Sequence, residues 1–251
     1  MSYSGPTPWS AAADHLKDAA ALVTGASAGI GRGIAIMLAR LGLKVVLVAR
    51  REEALLRTAA EIANMGHVAI PISADVRDET QLRMVLERAR GAVGHVDVLV
   101  NNAGLVKMHP IHDTDLEVWD SVMQTNLRAA VVLCSALLPG MRERRRGWII
   151  NVSSEAGAMI YPGMGAYCVS KHALRVLTEL IQVENDSYGI KAWAICPGDV
   201  ATSPEDWIKG EPSDLLIVDD VVGVLELLLT QRQVVKMGPS ILMRLMPRKN
   251  G

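Results

Sequence analysis

Tyr167 and Lys171 stand four residues apart, a spacing that puts both side chains on one face of a helix. A phenol titrates near pH ~10 and is a poor base at neutrality unless a neighbouring cation stabilises its phenolate. Bringing it down to about 7 takes roughly 4 kcal/mol of differential stabilisation, which an ammonium one helical turn away can supply. Ser154 lies thirteen residues before Tyr167, after the strand-like run Ile149-Ile150-Asn151-Val152-Ser153. The Tyr167–Lys171 pair thus suits general acid/base chemistry near neutral pH.

A second constellation opens the chain's first amphipathic segment, Ile30–Leu41. It reads Thr24-Gly25-Ala26-Ser27-Ala28-Gly29-Ile30-Gly31 and directly follows an apolar run. At a strand-to-helix turn, glycines allow a tight bend and close backbone approach, and the first amides of the helix favour a pyrophosphate. The spacing is Gly-x3-Gly-x-Gly, which differs from the common GxGxxG fingerprint. About twenty residues further on, an NAD-type site presents Asp or Glu to the ribose 2′-hydroxyl. Here Ala49 is followed by Arg50 and Arg51. Two guanidinium groups suit a 2′-phosphate, so the pair favours NADP(H) over NAD(H). The alternative is that both are solvated residues opening the next helix.

These residues need a scaffold. Short runs rich in Val, Ile and Leu occur at Ala19–Thr24, Lys44–Ala49, His67–Ser73, Val96–Val100, Gly147–Val152, Lys191–Cys196 and Ser240–Leu245, each separated from the next by an amphipathic stretch. That alternation predicts an α/β, doubly wound (Rossmann-type) seven-stranded parallel sheet with helices on both faces. Asp78 with Gln81, and Thr114 with Glu117, have capping-box spacing. Gly42, Gly91 and Gly189 sit where helices should stop. Leu127–Leu138 and Ala166–Val183 carry more apolar surface than one sheet contact requires, which implies a homo-oligomer, a tetramer or dimer. The alternative is that neighbouring loops cover these helices.

Length and charge bound the rest. The 251 residues suit one domain, here residues 18–251, preceded by a weakly patterned mobile arm over residues 1–17. Acidic and basic residues nearly cancel, 27 against 26, so no global field favours nucleic acid or a membrane surface. The RERRR run at Arg142–Arg146 is the one strong local charge cluster and reads as a solvated helix end rather than an anion patch. Three scattered cysteines, no signal-peptide pattern and no run of about 18 uncharged apolar residues point to a reduced, cytoplasmic protein.

From about Ala19 to Leu245 the chain resembles the short-chain dehydrogenase/reductase family in its single-domain form. The motifs that carry the likeness are Thr24-Gly25-x3-Gly29-x-Gly31, Asp75-Val76, Asn101-Asn102-Ala103-Gly104, Asn126, Ser154, Tyr167-x3-Lys171 and Pro197-Gly198-Asp199-Val200-Ala201-Thr202. The resemblance implies that Tyr167 is the general acid/base and that Ser154 holds the substrate oxygen. It implies that Lys171 lowers the pKa of Tyr167 and binds the nicotinamide ribose, and that Asn126 positions a water linking Lys171 to solvent. It implies a cofactor site made of Gly25, Ser27, Gly29, Ile30, Gly31, Arg50, Arg51, Asp75, Val76, Asn102, Ala103, Gly104, Tyr167, Lys171, Pro197, Gly198, Val200 and Thr202. Asn126 read on its own residues is instead a helix-bending amide satisfied by backbone carbonyls, and Asp75 a turn residue.

The chain departs from acyl-carrier reductases of the family, since it lacks their glycine-rich tail after the last strand. The segment after Thr202 that builds a substrate lid is short, ending near Leu216. Candidate substrate contacts are Val106, Met108, Glu155, Met159, Tyr161, Met164 and Trp207, with a solvent-facing carboxylate the plainer reading of Glu155. His109 and His112 lack a third ligand for a metal. Cys168 and Cys196 read as packed thiols. The function implied is an NADP(H)-dependent oxidoreductase acting on a small carbonyl or secondary alcohol. The alternatives are a non-catalytic NADP(H)-sensing regulator or scaffold, against which the full catalytic set argues, and a sugar-nucleotide epimerase, for which the chain is too short.

Overall fold

A computed structural model of the chain describes residues 14–202, 215–231 and 237–244. Strands form where the β-branched runs lie: β1 (Ala20–Thr24), β2 (Lys44–Ala49), β3 (Ala69–Ser73), β4 (Val98–Asn101), β5 (Gly147–Val152), β6 (Ile190–Pro197), a short β7 (Val200–Ala201), a short β8 (Leu216–Ile217) and β9 (Ser240–Met243). Seven of them make one parallel sheet in the order β3-β2-β1-β4-β5-β6-β9. This is the expected doubly wound architecture. The two-residue strands β7 and β8 pair with each other and went unpredicted, being too short to show a period.

The sheet interior alternates sides with period two. Ala21, Val23, Val45 and Leu47 face one buried cluster, and Leu22, Val46 and Val48 face the other. On the first side pack α1 (Gly29–Arg40), α2 (Glu52–Asn64) and the last helix, α7 (Val218–Thr230). On the second pack α3 (Glu79–Val93), α5 (Ala129–Arg144) and α6 (Gly165–Asn185). Pro71 falls within β3, where it is tolerated because β3 is an edge strand.

Helix α4 (Leu116–Met123) runs through a π-helical turn, Gln124–Arg128, into α5. The continuous run Leu116–Arg144 is long and apolar enough by length and composition to cross a membrane. In this fold it instead covers the sheet, with Leu133, Cys134 and Met141 buried in the second cluster.

Several local expectations need correction. Asp78 does cap α3, accepting from Thr80 N and Gln81 N, but α4 is capped by Asp115, which accepts from Glu117 N and Val118 N. Thr114 instead donates to Pro110 O. Gly91 lies inside α3, and the helix stops at Gly94, whose φ of +79° suits glycine. Gly42 and Gly189 do take left-handed backbone at helix ends, as expected. Residues 14–17 are not a loose arm: Asp14–Leu16 form a 3-10 turn, Leu16 is fully buried, and His15 tilts against the Trp148 ring. The earlier part of the expected arm lies outside the described residues.

The arginine run does structural work at the end of α5. Arg142 stacks over Tyr188, Arg144 donates to Val96 O, Arg145 donates to Ser187 O and Arg146 donates to His15 O. Among the described residues, no loop covers the wide apolar face of α6. Val169, Val176, Leu180 and Val183 all remain exposed along it, Val183 at 80%.

Candidate active site

In an open α/β sheet the crevice lies past the carboxyl ends of the strands, where the winding direction reverses. Here that point is the β1/β4 boundary, because β1 leads on to β2 and β3 on one side while β4 to β6 run out on the other. A cleft of about 820 Å³ opens there. It is lined by turns from the ends of β1, β2, β3, β4, β5 and β6, and by the start of α6.

The turn after β1 is shaped by close packing. A Cβ on Gly31 would lie 2.3 Å from Asn102 Nδ2 and 2.3 Å from Gly25 O, and one on Gly25, at φ +67°, would lie 2.7 Å from Asn102 Nδ2. Asn102 Nδ2 donates to Thr24 O, and the amides of Asn102 and Ala103 both donate to Thr24 Oγ1. The glycines therefore let the turn after β4 seat against the turn after β1. The N-terminus of α1 has no side-chain cap and no acidic residue in its first turn. Helices α3 and α4 fill those roles with Asp78 and Asp115. The bare amides of Gly29, Ile30 and Gly31 thus line the cleft, which fits a diphosphate.

Arg50 and Arg51, exposed beyond β2, line the far end of the same cleft together with Val76. Asp75, grouped with them from the sequence, does not line it. Its carboxylate is forked by Arg77, with Nε at 3.1 Å from both oxygens and Nη2 at 2.6 Å from Oδ2. That bond holds Asp75 below the usual carboxylate range, so it sits here as the turn residue that its position before Asp78 also allowed. Gly104, Pro197, Gly198, Val200 and Thr202 complete the expected lining.

At the other end, Ser154, Tyr167 and Lys171 share the cleft wall. Ser154 sits where β5 ends and accepts from Ala156 N at 3.1 Å, which fixes its oxygen. Lys171 is 3% exposed, and its ammonium donates to Val152 O at 2.8 Å. Its Nζ lies 5.7 Å from the centre of the Tyr167 ring, so the two side chains are neighbours. Burial dominates the shifts of both groups. It raises the Tyr167 phenol above its ordinary value, and its hydrogen bond with Ser154 pulls the other way. Burial depresses Lys171 to about 8. The chain's own groups therefore hold Tyr167 as a phenol.

Asn126 is not on the cleft surface. Within the π turn its Oδ1 accepts from Leu105 N at 2.7 Å, and its Nδ2 donates to Leu105 O at 3.0 Å and to Ser170 Oγ at 3.0 Å. It pairs both backbone groups of the residue after Gly104 and so positions that turn. Both side-chain amide hydrogens of Asn126 are thus engaged, and one lone pair of Oδ1 remains on its side chain.

Of the weighed substrate contacts, Val106, Glu155, Tyr161 and Met164 line the cleft, Met108 and Met159 do not, and Trp207 lies outside the described residues. Glu155 does not face solvent. Its side chain is 18% exposed, it accepts from the Tyr161 hydroxyl, and it pairs with Arg244 Nε at 2.9 Å. Residues missed from the sequence include Ala28, Ala49, Ala74, Val152, Ser153 and Asp199, all on the lining. Ser153 donates to Lys171 O at 2.9 Å. Its adjacency to Ser154 was the only signal for it. Val152 contributes a backbone oxygen, which no side-chain pattern announces.

Comparison with known proteins places this geometry. The family model for short chain dehydrogenase matches residues 19–209. A short chain dehydrogenase of Pseudocercospora fijiensis is 35% identical over 200 residues, 78% of this chain but 65% of that protein, so the match spans just under two thirds of that relative's length. The 2-(S)-hydroxypropyl-CoM dehydrogenase 3 of Xanthobacter autotrophicus is 35% identical over 190 residues, 76% of this chain and 74% of its own. A metagenomic short-chain oxidoreductase solved in complex with NADP superposes with a TM-score of 0.80 at 32% identity, covering 91% of this chain and 97% of that one. Matched over residues 19–209 by the family model and along most of its length by these relatives, the chain belongs to the short-chain dehydrogenase/reductase family of oxidoreductases.

Proposed function

We propose that this protein is an NADP(H)-dependent dehydrogenase/reductase that interconverts a small carbonyl compound and its secondary alcohol, with Tyr167 as the general acid/base. The observation that carries this reading is that Ser154, Tyr167 and Lys171 line one end of the same cleft whose other parts are an uncapped helix N-terminus and an arginine pair.

Bound NADP(H) would supply or accept the hydride, chemistry that belongs to the cofactor and not to the side chains. Gly25, Ser27, Gly29, Ile30 and Gly31 would hold its diphosphate, and Arg50 and Arg51 the 2′-phosphate. Val76, Asn102, Ala103 and Gly104 would flank the adenosine side. Pro197, Gly198, Val200 and Thr202 would border the nicotinamide, with Lys171 reaching its ribose through the two ammonium hydrogens not given to Val152 O.

Ser154 donates its hydroxyl hydrogen to the substrate oxygen and fixes it beside Tyr167. In reduction Tyr167 gives its proton to that oxygen, and a phenol held above its ordinary value is in the right form to do so. This favours reduction as the working direction. The exposed apolar stripe of α6 supports a homodimer or homotetramer, and a cytoplasmic setting belongs to the same reading.

The test is turnover. Purified protein mixed with NADPH and a panel of small carbonyl compounds should consume nicotinamide absorbance, and Tyr167→Phe should abolish that while NADPH still binds. Binding without turnover of any carbonyl would instead mark a sensor or scaffold.

A further inference from the structure

The cleft is polarised along its length. Among the described residues, the basic ones on its wall are Arg50, Arg51 and the buried Lys171. The first two stand beyond β2, four strands from β6 in the sheet order, a separation of about 19 Å at ~4.8 Å per strand. At the end where Ser154 and Tyr167 lie, the charged residues on the wall among the described residues are Glu155, Asp199 and Lys171. Lys171 gives one of its ammonium hydrogens to Val152 O.

Glu155 is held in place from three directions. One carboxylate oxygen accepts from Tyr161, and the other accepts from Arg244 Nε at 2.9 Å. A Cβ on Gly198 would lie 3.4 Å from Oε2, so the carboxylate also rests against the turn after β6. Arg244 is delivered to this spot by the last strand: Pro197 registers with Met243, and Gly198 N donates to Met243 O at 2.8 Å. Arg244 itself is not on the cleft wall, so it grips the carboxylate from behind. Each carboxylate oxygen has two acceptor directions and spends one here, leaving acceptor capacity one residue from the hydroxyl that would hold the reacting oxygen.

We propose that Glu155 is a specificity-determining residue. It selects a carbonyl substrate that carries a hydrogen-bond donor, a hydroxyl or an ammonium, close to the carbonyl, and it disfavours one carrying a carboxylate, sulfonate or phosphate there. The physical basis is that a fixed carboxylate with spare acceptor capacity in a partly buried cleft rewards a donor, while an anionic group placed against it sets lone pair against lone pair, with Arg244 engaged on the carboxylate and Lys171 one of the remaining cations among the described residues at that end. Arg244 and Tyr161 are positioning residues that fix the carboxylate. This inference rests on the carbonyl-reductase reading of the same site.

The experiment compares kcat/KM with NADPH for four ketones of similar size: butanone, hydroxyacetone, aminoacetone and pyruvate. Wild type should prefer hydroxyacetone or aminoacetone over pyruvate by about tenfold or more, and the two donors show whether charge or hydrogen bonding dominates. Glu155→Gln keeps the shape and an acceptor for Tyr161 but removes the charge, and should shrink the ratio by about tenfold, chiefly through KM for pyruvate. Arg244→Gln, which leaves Glu155 anionic but less restrained, should keep pyruvate disfavoured. NADPH affinity, read separately, reports on the distant arginine end and shows that each variant is folded. Turnover of butanone with no preference against pyruvate, or an unchanged ratio in Glu155→Gln, overturns the role of Glu155 while sparing the reductase reading. Turnover of no carbonyl overturns both.

Discussion

Replacing Lys171 by Met should make the protein more stable and inactive, and the size of the gain follows from burial. The lysine ammonium sits 3% exposed with one protein hydrogen bond, to Val152 O, and its pKa falls from 10.5 to about 8. At ~1.4 kcal/mol per pH unit, that depression means the folded state carries the charge at a cost of about 3 kcal/mol. Between about pH 8 and 10.5 the unfolded chain binds more protons at this site than the folded one, so wild-type stability rises with pH through that window. Below about 8 both forms hold the proton and the whole cost is present. Methionine has similar length and no charge, but it leaves Val152 O without its donor, which costs about 1–2 kcal/mol. The net at pH 7 is a gain of about 1–2 kcal/mol, or roughly 3–5 °C in Tm for a chain of this size. Thermal unfolding of both proteins at one concentration, at pH 7 and again at pH 9.5, measures it. The advantage should shrink or reverse at the higher pH. A variant less stable than wild type at pH 7, or a difference that does not move with pH, would refute the claim that the buried ammonium is a stability liability kept for chemistry.

Arg50→Ala should raise KM for NADPH by about ten- to a hundredfold and leave NADH within about threefold, measured by steady-state kinetics with both cofactors; equal losses would remove the 2′-phosphate contact. Leu16→Ala should cost about 2–4 kcal/mol in urea or thermal unfolding despite its place before the first strand, because Leu16 is fully buried in the first cluster. Leu180→Glu, on the exposed apolar stripe of α6, should shift the protein to monomer in analytical ultracentrifugation, and an unchanged mass would place any interface elsewhere.

What the sequence made legible was whatever forms an apolar run or concentrates in a turn. The strands β1, β2 and β5 are buried almost throughout, so each shows as a continuous run rich in apolar residues whose bounds were readable to within a residue. The glycine turn was readable because three glycines at fixed spacing have few other uses. The rest depends on contacts between distant residues. Glu155 and Arg244 meet only because β6 and β9 pair, and their separation of 89 positions carries no local signal. Asn126 could be singled out as a lone amide, but its partner Leu105 offers only backbone, and the π turn that aims it has no composition signature. Thr114 and Asp115 are both good caps one residue apart, and only the path of the chain out of Pro110 decides between them. Gly91 and Gly94 pose the same choice at the end of α3, settled by which of them takes positive φ.

The spacing of Tyr167 and Lys171 was readable, but the net shift of each group was not, because it depends on burial. On a solvated helix the ammonium would lower the phenol and keep its own proton. Here burial disfavours both charged forms at once, raising Tyr167 and lowering Lys171 to about 8. Lys171 is thereby the stronger acid of the two. Both groups therefore hold their protons at neutral pH, and a protonated tyrosine is the form that the proposed reduction of a carbonyl requires. The dry environment that makes the lysine costly is also what keeps the tyrosine a phenol.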